Sequence, residues 1–291
     1  MSMDGVNAPV PYAGRLAALG TMHGKEAAIA PPLRQQLGID LVVPALDTDR
    51  FGTFTGETRR IGTMRDTAVG KARAAMAASG LPLGLASEGS FGPHPSLIVV
   101  PAAIELLVFV DDERDLVVVE TLMSVETNFS HALADRAESA LAFLGRCGFP
   151  DHAVIVRPSL PRDDEDIVFK GIRDYADLLR AFEVCRTASV DSQARLETDM
   201  RAHKNPTRVR VLQQLATRLS SRLSVMCPAC GSPGFGLVDR RRGLPCRECD
   251  EATTLPLAEV HGCARCSYVE ERPDPMASAF ADPKWCPRCN P

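Results

Sequence analysis

The chain reads as an α/β protein: a mixed-sheet domain over residues 14–225, then a small C-terminal double zinc ribbon over 226–291. Three observations predict this. Short apolar runs of strand length alternate with helical stretches as far as residue 225. Leu212, Leu215, Leu219 and Leu223 recur at helical spacing and form a packing stripe that closes this part. Eight of the ten cysteines follow residue 226 as four Cys-x-x-Cys pairs.

Composition sets the outer bounds. A chain of 291 residues buries a sizeable core and has room for one large domain or two. Hydrophobic content of 45% and charged content of 24% are ordinary for a soluble protein. A net charge of -4 argues against a whole-molecule footprint on nucleic acid. No apolar run is long enough to span a membrane, and the first residues lack the basic and apolar regions of a secretory signal. The expected location is therefore cytoplasmic.

The elements follow in order. Residues 1–13 read as disordered. "RLAALGTMHGKEAAIAPPLRQQLGIDLVVPAL" reads as strand, glycine turn, helix and strand. Pro31 and Pro32 are expected to kink that helix or delay its start. "IDLVVPAL" is a continuous apolar run, as for a strand buried on both faces. "DTDRFGTFTGETRRIG" is a polar loop or hairpin. A helix over 64–79 follows, capped by Thr63 with Asp66 in capping-box position and stopped by Gly80. Ala68, Ala72, Ala75 and Ala78 keep it slim for close packing. "LPLGLA" is a strand and "SEGSFGPHP" a loop. "ELLVFVD" and "DLVVVETLM" form a hairpin around "DDER". "SHALADRAESALAFLGRCG" reads as a helix, "HAVIVRP" as a strand, "DDED" as a solvated turn, "IVFKGI" as a strand and "RDYADLLRAFEVCRTAS" as a helix. Cys147 and Cys185 sit alone in apolar contexts and read as inert buried thiols.

The tail carries the strongest chemical signal. Cys227 and Cys230 are followed after fifteen residues by Cys246 and Cys249. Cys263 and Cys266 are followed after nineteen by Cys286 and Cys289. Thiolates at i and i+3 on a tight turn grip one edge of a tetrahedron, and a second such turn supplies the other. Two zinc ions in two consecutive ribbons is the simple reading. A cross-braced arrangement, first pair with third and second with fourth, is the alternative. Four thiolates leave no open coordination position, so both zincs read as structural. Arg240, Arg241 and Arg242 read as a basic loop tip, and Trp285 and Tyr268 as part of a mini-core around the metal.

Capping and packing account for most of residues 60–95, but not for Lys71 or for the glutamate of "ASEGSF". "GTMRDTAVGKARAAMAASGLPLGLASEG" resembles the central motif of the inosine/xanthosine-triphosphate pyrophosphatase superfamily. "LGTMHGKEAAI" resembles that family's first strand–loop–helix, and "HKNPTRVRVLQQL" its late base-facing segment. Met22, Thr67, Ser87 and Thr207 depart from the family's motifs. The resemblance implies that family's fold and a Mg²⁺-dependent nucleotide pyrophosphatase or related phosphate-ester hydrolase. It implies Asp66 and Glu88 as catalytic residues holding the Mg²⁺. It implies Lys25 and Lys71 on the triphosphate, and Lys204, Asn205 and Arg208 toward the base. Glu57 is a third carboxylate near that set. The chain also resembles, over nearly its whole length, a bacterial family known only as a domain of unknown function, which implies no activity.

A P-loop reading of "LGTMHGK" fails, because the glycine spacing is one residue short and Glu26 replaces the Ser/Thr. His23 and His94 each follow a strand and are the better histidine candidates; His131 and His203 are others. "VETNFSH" reads as a helix-entry cap. "ETDMRAHKNPTR" packs Glu197, Asp199, Arg201, His203, Lys204 and Arg208 into a dozen residues, as a site or a surface ion network would. From Arg201 to Arg222 there are six Arg or Lys and no acid. The competing function is therefore a non-catalytic module that binds nucleic acid or protein through this basic helix and the zinc ribbons.

Overall fold

The computed structural model describes residues 11–52, 58, 62–162 and 167–291. Glu57, "DDED" and the first ten residues lie outside the described residues. Tyr12 belongs to the folded part: it is fully buried and its hydroxyl donates to Asp111 Oδ2 at 3.0 Å.

Strand β1 (Leu16–Gly20) leads through a short loop into helix α1 (Glu26–Leu37) and strand β2 (Asp40–Val42). The helix starts on time and runs through Pro31 and Pro32. Strand β2 is a short edge strand rather than one buried on both faces, because only β1 pairs with it. Helix α2 (Met64–Ser79) follows, with the capping box of Thr63 and Asp66 formed and Gly80 in the left-handed region at φ 70°. Strand β3 (Leu83–Pro93) is longer than expected and includes "SEGSFGP", so Glu88 stands on a strand and not in a loop. Its pairing with strand β4 (Pro101–Asp111) runs unbroken from Leu83 to Pro93, which keeps this glycine-bearing stretch extended. Strand β5 (Leu116–Ser124) completes the hairpin around "DDER".

These strands form one mixed sheet in the order β2-β1-β3-β4-β5, with β1 parallel to β2 and β3 and the rest antiparallel. Side-chain alternation sorts its two faces. Leu19, Leu85, Leu107 and Phe109 face α1 and the leucine stripe, all of whose leucines are fully buried. Ala18, Ala86, Val108 and Val110 face α2, where Ala68, Ala72 and Ala75 let the helix approach closely; Ala78 points outward.

The second half does not extend this sheet. Strand β6 (His131–Ala134) precedes helix α3 (Ala137–Cys147), so the start of "SHALADRAESALAFLGRCG" is strand and only the remainder is helix. Strands β7 (Val154–Pro158) and β8 (Phe169–Ile172), helix α4 (Tyr175–Thr187) and strand β9 (Ala194–Thr198) complete a separate antiparallel sheet in the order β6-β9-β7-β8. Phe143, Leu144, Leu178, Phe182, Cys147 and Cys185 fill its core. Helix α5 (Pro206–Leu223), capped by Asn205, carries the leucine stripe back to the first sheet.

The tail is a three-stranded antiparallel meander of β10 (Gly236–Arg242), β11 (Pro256–Gly262) and β12 (Val269–Pro273). It is tied to the sheet by Arg222, which donates to the Gly234 and Val119 carbonyls and pairs with Glu120 at 2.9 Å. Arg240–Arg242 lie on β10 and not on a loop tip. Among the described residues, no helix is long and apolar enough to cross a membrane.

Candidate functional site

In the order β2-β1-β3, α1 covers one face of the sheet and α2 the other. The crevice at the carboxyl ends of β1 and β3 lies where the connections diverge, the position at which open α/β sheets hold ligands. A cleft of about 270 Å³ opens there, lined by Gly20–His23, Lys25, Lys71, Gly89–Phe91, Arg201 and Arg208 among others.

Close packing delivers each charged group. A Cβ on Gly20 would sit 2.7 Å from the Lys71 carbonyl, so glycine lets α2 cross the end of β1 and bring Lys71 to the cleft. Lys71 Nζ reaches Glu88 Oε1 at 2.5 Å. From the other face, Arg208 Nε and Nη2 donate to the two Glu105 carboxylate oxygens at 2.6 and 3.2 Å. Arg208 Nη1 donates to the Met200 carbonyl at 2.5 Å, and the guanidinium lies over the Phe91 ring at 5.1 Å. A Cβ on Gly89 would stand 2.7 Å from Arg208 Nη2 and 2.9 Å from Glu105 Oε2, so any larger residue there would force the ends of that buried pair to shift. Lys25, at the start of α1, donates to the Ser87 carbonyl at 3.0 Å.

These five groups are exposed by 8% or less: Lys25 and Lys71 8%, Arg208 7%, Glu88 6% and Glu105 0%. Three cations face two carboxylates, a buried excess of one positive charge with all groups ionised. Lys25 bears the consequence. Burial first, then repulsion from Arg208, lowers its ammonium from 10.5 to about 7, with Glu105 and Glu88 opposing and Lys71 adding to the fall. At the mouth, burial and then Lys25 lower His23 to about 4, and burial lowers His203. The two imidazoles are thus uncharged near neutrality and stack with centroids 5.6 Å apart. Arg201 is held by Asp199 through contacts of 3.0, 3.2 and 2.6 Å.

The structure brings Lys25, Lys71 and Arg208 into the lining of one cleft, buries Glu88 against Lys71 beside it, and leaves Asp66 and Lys204 outside the lining. Asp66 sits on the exposed first turn of α2, where Oδ2 accepts from the Thr63 amide and hydroxyl; those bonds hold its carboxyl below the usual range. Lys204 lies beside Gly171 on β8, and Asn205 caps α5. His94 accepts two amides of its own turn, and His131 opens β6. Glu105 was missed by sequence reading. Its signal was an acid at the head of the apolar run "ELLVFV".

A Mg²⁺ shared by Asp66 and Glu88 does not fit this arrangement. Asp66 is engaged in the cap, and Glu88 is gripped by Lys71. Among the described residues, the groups of three or more metal-type ligands placed to share an ion are two cysteine clusters.

Those clusters are interleaved. Cys227, Cys230, Cys263 and Cys266 form one, and Cys246, Cys249, Cys286 and Cys289 the other. The consecutive-ribbon reading is thereby corrected to the cross-braced one. The meander is the physical reason. Gly236 pairs with Gly262, which puts the first and third knuckles at one end of the sheet. Arg242 pairs with Pro256, and Ala258 with Pro273, which sends the second and fourth to the other end. Sulfur separations of 3.8 and 3.6 Å in the first cluster, and 3.9, 3.6 and 3.4 Å in the second, match a thiolate tetrahedron. Its edge is about 3.8 Å for Zn–S bonds of about 2.3 Å. Knuckle amides of Arg265, Cys266 and Cys289 donate to cluster sulfurs. Both clusters suit a zinc ion each. Phe235 packs on Tyr268, whereas Trp285 is 56% exposed and seals no core.

The molecule is thus an α/β protein with a charged cleft and a cross-braced module of two four-cysteine clusters. It belongs to the family described as a domain of unknown function (DUF6671), whose model matches residues 71–291. That span includes Lys71, Glu88, Glu105, Arg208 and all eight cluster cysteines; Lys25 precedes it. A search of curated proteins gave no match.

Proposed function

We propose that residues 14–225 form a domain that binds a phosphate-bearing small molecule, a nucleoside phosphate foremost, in the cleft between β1 and β3. Residues 226–291 form a module held by two structural zincs. The observation that carries this reading is the buried excess of positive charge at the carboxyl ends of parallel strands. Phosphate supplies the missing negative charge and accepts bonds from lysine and arginine together. The volume of about 270 Å³ lies below the range of about 300–1,000 Å³ for pockets that enclose a drug-sized ligand. It suits a phosphate group with the adjoining part of its ester.

Cleavage of a nucleoside triphosphate to monophosphate and pyrophosphate is the enzymatic form of this reading. It draws support from the resemblance around "GTMRDTAVGK" and none from the position of Asp66. The nucleic-acid reading is weaker on a specific observation. Arg201, Arg208, Arg210 and Arg222 of the basic segment each pair with a carboxylate of the same chain, as do Arg240 and Arg241. The test is a calorimetric screen of nucleoside mono-, di- and triphosphates and sugar phosphates, with phosphate and pyrophosphate release followed in parallel. Saturable binding lost in Lys25→Ala supports the cleft. RNA binding with a steep salt dependence and no small-ligand binding would support the other reading instead.

A further inference from the structure

We propose that the cleft takes its phosphate free of divalent metal, with Lys25 as the group that grips it. The ligand class is then an uncomplexed phosphate ester or diphosphate. This inference rests on the phosphate-binding reading and makes it more specific.

Each buried carboxylate beside the cleft already has a protein cation against it, and the lining carboxylate Asp49 is half-exposed, 3.9 Å from the uncharged His23. Glu88 is held by Lys71 at 2.5 Å, and Glu105 is held at both oxygens by Arg208. A divalent ion held by any of these carboxylates besides Asp49 would have to displace one of the buried pairs. Such a pair, once broken, leaves an uncompensated charge in the interior. The positive charge that a metal would bring is instead built into the protein.

Lys25 differs from Lys71 and Arg208. Among the described residues it makes no ion pair, and its ammonium donates to the uncharged Ser87 carbonyl. The groups that act on it come from every neighbouring element: Lys71 on α2, Glu88 on β3, Glu105 on β4 and Arg208 on α5. Arg201, Asp49 and the uncharged His23 also line the cleft. The balance around Lys25 is unfavourable to its charge, which burial lowers to about 7. An entering anion relieves that imbalance, whereas a metal cation would add to it. Lys25 is also the N-cap residue of α1, a helix of 12 residues whose first turn no side chain caps.

The experiment is a calorimetric titration of the zinc-loaded full chain with inorganic pyrophosphate and with ADP, in magnesium-free buffer and again with excess Mg²⁺. The expected result is binding without Mg²⁺ at least as tight as with it. Lys25→Met should weaken magnesium-free binding about tenfold or more, and Lys25→Arg should keep it within a few-fold. Circular dichroism of both variants separates lost binding from lost folding. Tighter binding with Mg²⁺ than without, or unchanged affinity in folded Lys25→Met, overturns this inference while leaving phosphate binding intact. Failure of both probes to bind under either condition overturns the phosphate reading with it.

Discussion

Replacing Lys25 by methionine should stabilise the fold near neutral pH while removing affinity for anions. The magnitude follows from its surroundings. Lowering the ammonium from 10.5 to about 7 penalises its charged form in the folded state. At about 1.36 kcal/mol for each tenfold change, the penalty is about 5 kcal/mol once the lysine is charged in both states. Between about pH 7 and pH 10.5 the unfolded chain binds the proton and the folded chain does not, so stability rises with pH across that window. Above the window the penalty is absent, and it is fully developed below. Methionine carries no such penalty, but forfeits the hydrogen bond to the Ser87 carbonyl, worth about 1 kcal/mol. Lys25→Met should therefore be more stable than the parent by about 3.5 kcal/mol at about pH 6.5. The advantage should shrink by about 2.5 kcal/mol by about pH 9. Urea unfolding of parent and variant at both pH values measures it, since cysteine and zinc contributions cancel in the difference. A variant less stable than the parent at the lower pH, or a gap that does not change with pH, would refute the reasoning. The first would mean that the surroundings favour the charge, the second that they leave it unperturbed.

Further outcomes follow from the same geometry. Cys230→Ser with Cys266→Ser strikes one cluster and should leave one zinc per chain by atomic absorption, whereas Cys230→Ser with Cys249→Ser strikes both and should leave none. Consecutive ribbons would give the reverse. Gly89→Ala should cost about 1–3 kcal/mol in thermal or urea unfolding, because its methyl forces the ends of the buried Arg208–Glu105 pair to shift. Thr63→Ala should cost about 1 kcal/mol through the lost helix cap. Asp66→Ala should leave anion affinity unchanged in the calorimeter, in contrast to a residue that holds an essential metal.

Much of the first sheet was legible because its signals are local. Helix α2 announces itself through Thr63, Asp66 and Gly80, and the leucine stripe of α5 through its period. The errors lie where long-range pairing decides. "SEGSFGP" looks like a loop in isolation, yet it continues an unbroken register of partners on β4 that holds it as strand, and this is what places Glu88 inside. The same blindness hid Glu105, whose role depends on Arg208, 103 positions away. Arg208 itself stood out only through resemblance and charge density. The four Cys-x-x-Cys pairs were plain in sequence, but their pairing was not. It depends on the meander of β10, β11 and β12, whose charged and irregular strands carry little alternation.

Phosphate binding in the cleft is tested most directly by anomalous diffraction from crystals soaked in tungstate, an electron-dense tetrahedral oxyanion. The expected result is a peak between the ends of β1 and β3, within hydrogen-bond reach of Lys25 Nζ and beside Lys71 and Arg208. A cleft without a peak while tungstate binds elsewhere, for example along Arg240–Arg242, would contradict it.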